Sequence, residues 1–175
     1  METLMHFESL AAPATPAVAN RLRMALVVLH RANPALSATG WLNVGLAVLA
    51  VAGLLLDHRL VTGVPVWLKP LKFALSVTAY AWTLGWLLAD LPGAAQRSVR
   101  TLSRGVTLSM AVEQGAVFVQ AGRGTTSHYN MATAFDGLLF ALMGLFIFVN
   151  TAMTLWALYL VWRYRSHGPS GYVWG

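Results

Sequence analysis

The stretch ATGWLNVGLAVLAVAGLLL, residues 38–56, decides what kind of protein this is. It runs for 19 residues without a charge and stops at Asp57-His58-Arg59. Crossing ~30 Å of hydrocarbon takes about 20 helical residues. The stretch therefore reads as a membrane-spanning helix, Ala38 to Leu56.

Three more runs follow. A connector through Thr62-Gly63-Val64-Pro65 leads to Pro70, which suits the first turn of a helix because its missing amide hydrogen would be unpaired there. The second span is Leu71 to Leu91, stopped by Pro92-Gly93. A basic turn with Arg97, Arg100 and Arg104 enters the third, Val99 to Ala121, closed by the C-terminal signals Gly122 and Gly124. The fourth, Ala132 to Trp162, would be ~46 Å long as a helix and must tilt or project beyond the bilayer. Ahead of all four, residues 1–19 are polar and then rich in Ala and Pro, an extended tail. A short basic helix through Arg21, Arg23, His30 and Arg31 is expected to lie in the headgroup layer. Glu2 and Glu8 come first where a signal peptide would carry basic residues, and the run Met24–Leu29 is too short, so the N-terminus is expected to be retained. The sequence thus predicts an all-α fold: a tail and interfacial amphipathic helix (1–36), a four-helix transmembrane bundle (37–165) and a C-terminal tail (166–175).

Composition agrees with lipid as the main solvent. Of the 175 residues 57% are hydrophobic and 10% charged, against roughly 25% charged in soluble domains. Twelve basic side chains face six acidic ones, and they gather at the ends of apolar runs, a pattern suited to anionic headgroups rather than nucleic acid. With no cysteine, disulfides, thiolate metal sites and iron–sulfur clusters are excluded. Heavy use of Ala, Leu, Val and Arg raises the expectation of a GC-rich bacterial gene. Arg21, Arg23, Arg31, Arg97, Arg100, Arg104, Arg163 and Arg165 fall on one side of the spans, and Arg59, Lys69, Lys72 and Arg123 on the other. The positive-inside rule then puts both termini in the cytoplasm of a bacterial inner membrane. Trp41, Trp67, Trp86, Trp156, Trp162 and Tyr164 sit toward helix ends, where amphipathic rings anchor.

Lipid offers no hydrogen-bond partners, so polar side chains in spans should turn toward one another. Asn43, Ala50 and Asp57 recur every seven residues; Lys72, Ser76, Ala79 and Thr83 form a second stripe. Ser109, Glu113, Ala116 and Gln120 form a third, and Thr133, Asp136, Phe140, Met143, Ile147, Asn150 and Thr154 a fourth. Gly137 and Ala141, four apart, permit close helix packing. The ionisable groups concentrate in the outer half and its loops.

Lys72, Glu113, Arg123, His128 and Asp136 are the candidate residues for binding a ligand or coupling protons, with Asp57, His58, Lys69, Gln120 and Asn130 around them. Glu113 is the sharpest case, because an ionised carboxylate at its depth costs several kcal/mol unless paired, protonated or wetted. Against a proton or cation site stands a packing role, with Glu113 bound to Lys72, Gln114 or a hydroxyl. Thr133-x-x-Asp136 matches a capping box, the simpler account of Asp136. His58 and His128 lie on one side and would suit haem iron or a metal, but outer-loop histidines more often hydrogen-bond at the interface, and no metal site is assigned. Basic residues at helix ends usually reach for headgroups, which suffices for Lys69 and competes closely for Arg123. No phosphate loop, nucleophile elbow or paired catalytic carboxylates are present, so binding is favoured over catalysis.

The segment Trp67-Leu68-Lys69-Pro70-Leu71-Lys72-Phe73, with the loop Gln120-Ala121-Gly122-Arg123-Gly124-Thr125-Thr126-Ser127-His128-Tyr129-Asn130, resembles an uncharacterised family of small bacterial polytopic membrane proteins. The resemblance implies a multi-pass membrane protein and no particular activity or cofactor. Two functional expectations follow. The first is an outward-facing polar pocket for a small polar ligand, an ion or protons. The second is an accessory subunit of a larger membrane complex, carrying pigments or electrons, whose partners are the bilayer and other subunits or copies of this chain.

Overall fold

The computed structural model describes residues 15–164. The expected tails at 1–14 and 166–175 lie outside the described residues. The elements are α1 (Thr15–Ala32), α2 (Pro34–Leu56), a two-stranded hairpin of β1 (Leu60–Val61) and β2 (Val64–Pro65), α3 (Leu68–Ala89), a 3-10 turn (Gly93–Ala95), α4 (Gln96–Arg123) and α5 (Ala134–Tyr164). α1 begins at Thr15, so residues 15–19, expected to be extended, are helical.

Three helices, α2, α3 and α5, are long and apolar enough to cross a membrane. α4, expected as the third of four spans, does not meet that measure. Its 28 residues carry Arg97, Arg100, Arg104, Glu113, Gln114 and Gln120 among others.

α2 starts four residues earlier than expected. The Asn33 side chain accepts from the Leu36 amide at 3.2 Å, and Pro34 occupies the first turn, the arrangement that satisfies a helix start. α3 returns antiparallel through the hairpin, whose Thr62 and Gly63 both have positive φ (53° and 83°), as a type I′ turn demands. The indoles of Trp82 and Trp67 lie on Gly40 and Gly53, where any Cβ would collide. Trp82 Nε1 also donates to the Ser37 carbonyl at 3.3 Å. α4 ends on Gly124 at φ 69°, with Gly124 N–H to Ala121 O and Thr125 N–H to Gln120 O, a Schellman closure.

Three rungs join α2 to α4. Asn33 Nδ2 donates to Ser103 Oγ at 2.7 Å, Thr39 Oγ1 to Thr107 Oγ1 at 2.9 Å and Gln114 Nε2 to Asn43 Oδ1 at 2.5 Å. Both sets of numbers ascend, so these helices run parallel. α5 runs back along α4, tied by Gln120 to Asp136 at one end and by Met153 against Gly105 toward the other. The four long helices therefore alternate in direction. The main apolar core, with Leu36, Leu84, Leu88, Leu102, Val106 and Leu160, occupies the half nearer the described chain ends. Only a small cluster of Ala116, Val117 and Met143 lies toward the hairpin, so polar networks hold that half.

Buried faces follow the sequence stripes on α2 and α4: Asn43, Ala50, Ser109, Glu113, Ala116 and Gln120 are all buried. On α3 they do not. Lys72, Ser76, Ala79 and Thr83 are exposed, and the face that packs is Pro70, Ala74, Val77, Ala81, Leu84 and Leu88. Small residues won that contact because α2 lies so close. On α5, Asp136 and Met143 are buried but Ile147 is exposed. Beyond Ile147 the helix meets the bundle again through Asn150, Met153 and Thr154.

Candidate functional site

The ten candidate residues sort into separate groups. At the start of α5, Asp136 is 2% exposed and accepts from Gln120 Nε2 at 2.8 Å, from Thr133 Oγ1 at 2.6 Å and from the Arg123 guanidinium. Its own amide donates to Thr133 Oγ1 at 3.1 Å. Thr133 thus caps the helix as expected, while the carboxylate bonds the Thr133 hydroxyl and reaches across to α4. Arg123 also lies over the Phe135 ring at 4.8 Å. Every strong acceptor of this cluster already has a protein donor, so it locks α4 to α5.

Asp57 is closed in the same way. Arg59 donates through Nε at 2.9 Å and Nη2 at 2.7 Å, and Trp67 Nε1 at 2.8 Å. Those bonds, Arg59 first and Trp67 second, hold the carboxyl well below the ordinary aspartate range. Arg59 Nη2 also reaches the Gly122 carbonyl at 3.1 Å, fastening the hairpin to the end of α4. Asn130 is buried and staples its own loop, donating to Thr125 Oγ1 and the Thr126 carbonyl and accepting from the Ala132 amide. His58 and Lys72 are exposed and join neither group. His58 and His128 do not form a pair, and among the described residues no three metal-ligating side chains gather.

What remains is Lys69, His128 and Glu113. α3 begins at Leu68, and helical side chains lean toward the N-terminus, so Lys69 points back under the loop after α4. There its Nζ lies 2.8 Å from His128 Nδ1, which Ser127 Oγ also approaches at 3.1 Å. An ammonium only donates, so Nδ1 accepts and the ring proton sits on Nε2. Burial first, and the Lys69 charge second, push the His128 pKa down from its ordinary value. A cavity of about 170 Å³ opens beside this pair, lined by Lys69, Ser127, His128 and hairpin residues from Val61 to Val66.

Glu113 lies deeper on α4, 4% exposed. Among the described residues nothing donates a hydrogen bond to its carboxylate and no cation lies within ion-pair distance. Among the described residues the charge that acts on it is that of Lys69. Nearby on the same helix, Ser109 Oγ and Gln114 Oε1 are fully buried without partners among the described residues. Lys69, ranked in sequence as a headgroup contact, is therefore central, and Ser127 was missed. Its signal was weak: one hydroxyl among three in a loop.

Comparison with protein families, with curated proteins and with solved structures gives no match to this chain.

Proposed function

We propose that the chain is a four-span protein of the bacterial cytoplasmic membrane, both termini inside, whose outward-facing cavity, lined by Lys69 and His128 and coupled through the Lys69 charge to Glu113 deeper on α4, binds a small polar ligand, an ion or, as the geometry favours, protons. α4 counts as the fourth span because α2, α3 and α5 pack around it. Its polar side chains from Ser109 onward, Ser109, Glu113, Gln114 and Gln120, are buried against those helices while Arg97, Arg100 and Arg104 stay exposed near its start, so its hydropathy underrates its depth. The positive-inside count supplies the orientation.

The observation that carries the reading is Glu113, buried on α4 with no hydrogen-bond or ion-pair partner for its carboxyl among the described residues, and with Lys69 as the charge that acts on it there. An isolated charge at such a depth is costly. A proton passed between a lysine and a carboxyl changes both charges together, so the two protonation states depend on each other. His128, sharing its Nδ1 with Lys69 and Ser127 beside the cavity, offers the exchange point with the outer solution.

Infrared difference spectra taken across pH in lipid nanodiscs test this. A protonated carboxyl band that disappears in Glu113→Gln, and whose midpoint moves by about one pH unit or more in Lys69→Met, is expected. No such band, or a midpoint indifferent to Lys69, refutes the coupling.

A further inference from the structure

α5 buries Asp136 and Met143 toward one end and Ala157 and Leu160 toward the other, and from Gly144 to Phe148 it is exposed but for the half-buried Phe146. Between that stretch and α3 lies a groove of about 310 Å³. Phe73, Ser76 and Tyr80 of α3, Met110 and Glu113 of α4 and Asn150 of α5 line it. The Tyr80 hydroxyl closes one end, 2.7 Å from Thr154 Oγ1 and 3.3 Å from Asn150 Oδ1. The groove faces sideways between two helices that are each apolar enough to cross a membrane, so what reaches it arrives through the lipid.

Its walls are largely apolar and Glu113 lines it, whose carboxyl has no hydrogen-bond donor among the described residues. A cavity of ~150 Å³ takes one benzene ring, so this groove has room for about two fused rings. We propose that it binds a lipid-soluble ring compound carrying one hydrogen-bond donor, a hydroxyl or an amine, which enters from the bilayer and donates to Glu113. Apolar pockets with a few placed polar groups are the usual form of such sites. Here Phe73, Tyr80 and Met110 grip the rings and the carboxyl orients them. Two features separate the site from the aqueous cavity: it opens on lipid, and Lys69 and His128 do not line it. The proposal rests on the membrane reading above and on Glu113, but not on exchange through His128.

Equilibrium dialysis of nanodiscs against 2-naphthol and 2-methoxynaphthalene, corrected with empty nanodiscs, tests it. The methoxy compound keeps the rings and loses the donor. 2-Naphthol is expected to bind saturably and about tenfold more tightly than the methoxy compound. Glu113→Leu should abolish that preference. Ser76→Trp, a change on an exposed face that fills the groove mouth, should abolish binding of both, with helicity unchanged by circular dichroism. Lys69→Met should keep the preference, so an infrared failure with naphthol binding intact overturns the proton reading alone. Equal affinity for the two compounds, or binding undiminished in Ser76→Trp, overturns the groove.

Discussion

Burial in its loop, and then the lysine ammonium held against it, make the His128 imidazole a poor base, and stability then depends on pH. The pKa of His128 is lowered in the fold, so the unfolded chain takes up this proton at higher pH than the folded chain does. Stability from this residue is complete above the unfolded value of about 6.5 and falls as pH drops below it. Melting in nanodiscs between about pH 7.5 and about pH 5.5 should therefore show a loss that His128→Gln reduces; an equal loss in the variant would place the dependence elsewhere. Asp57, whose pKa is depressed, loses its contribution only in stronger acid, when its carboxylate takes a proton. At this scale the sequence was a good guide to which residues are costly to bury, and a poor guide to their partners. Glu113 stood out by its depth in an apolar run. That Asp136 would be saturated and Lys69 left facing His128 depends on where the loop from Gly124 to Thr133 folds, and loop geometry has no periodicity to read.

Among elements, α2 and α3 were legible because lipid imposes length and apolarity, while the choice of which face packs was not. Polar spacing singled out Lys72, Ser76 and Thr83, yet Trp82 seated on Gly40 pulls the small-residue side of α3 inward. Close packing of this kind is the main attraction between helices in lipid, where the hydrophobic effect is absent. Gly40→Ala is expected to force the indole away and cost about 1–3 kcal/mol, read as a lower melting temperature, whereas Gly45→Ala, where a Cβ meets nothing, should be neutral. Equal effects of the two would show that the Trp82 contact is not what holds the pair.

For the whole molecule, the four alternating helices put the hairpin and the loop after α4 on one face, and the turn between α3 and α4 on the other. The chain contains no cysteine, so single cysteines report cleanly. In intact cells, an impermeant maleimide should label Thr62→Cys and Thr126→Cys but not Gly93→Cys. Labelling of all three, or of Gly93 alone, would overturn the arrangement of spans or its sidedness. The three rungs between α2 and α4 carry one more implication. Slide α4 by a single turn and Asn33 would meet Thr107, Thr39 would meet Ala111 and Asn43 would meet Phe118. Two of the three amide or hydroxyl groups would then confront hydrocarbon in a solvent unable to console them with water. The uneven intervals, six and four residues on one helix against four and seven on the other, work like the cuts of a key: these two helices fit at one height and at no neighbouring one.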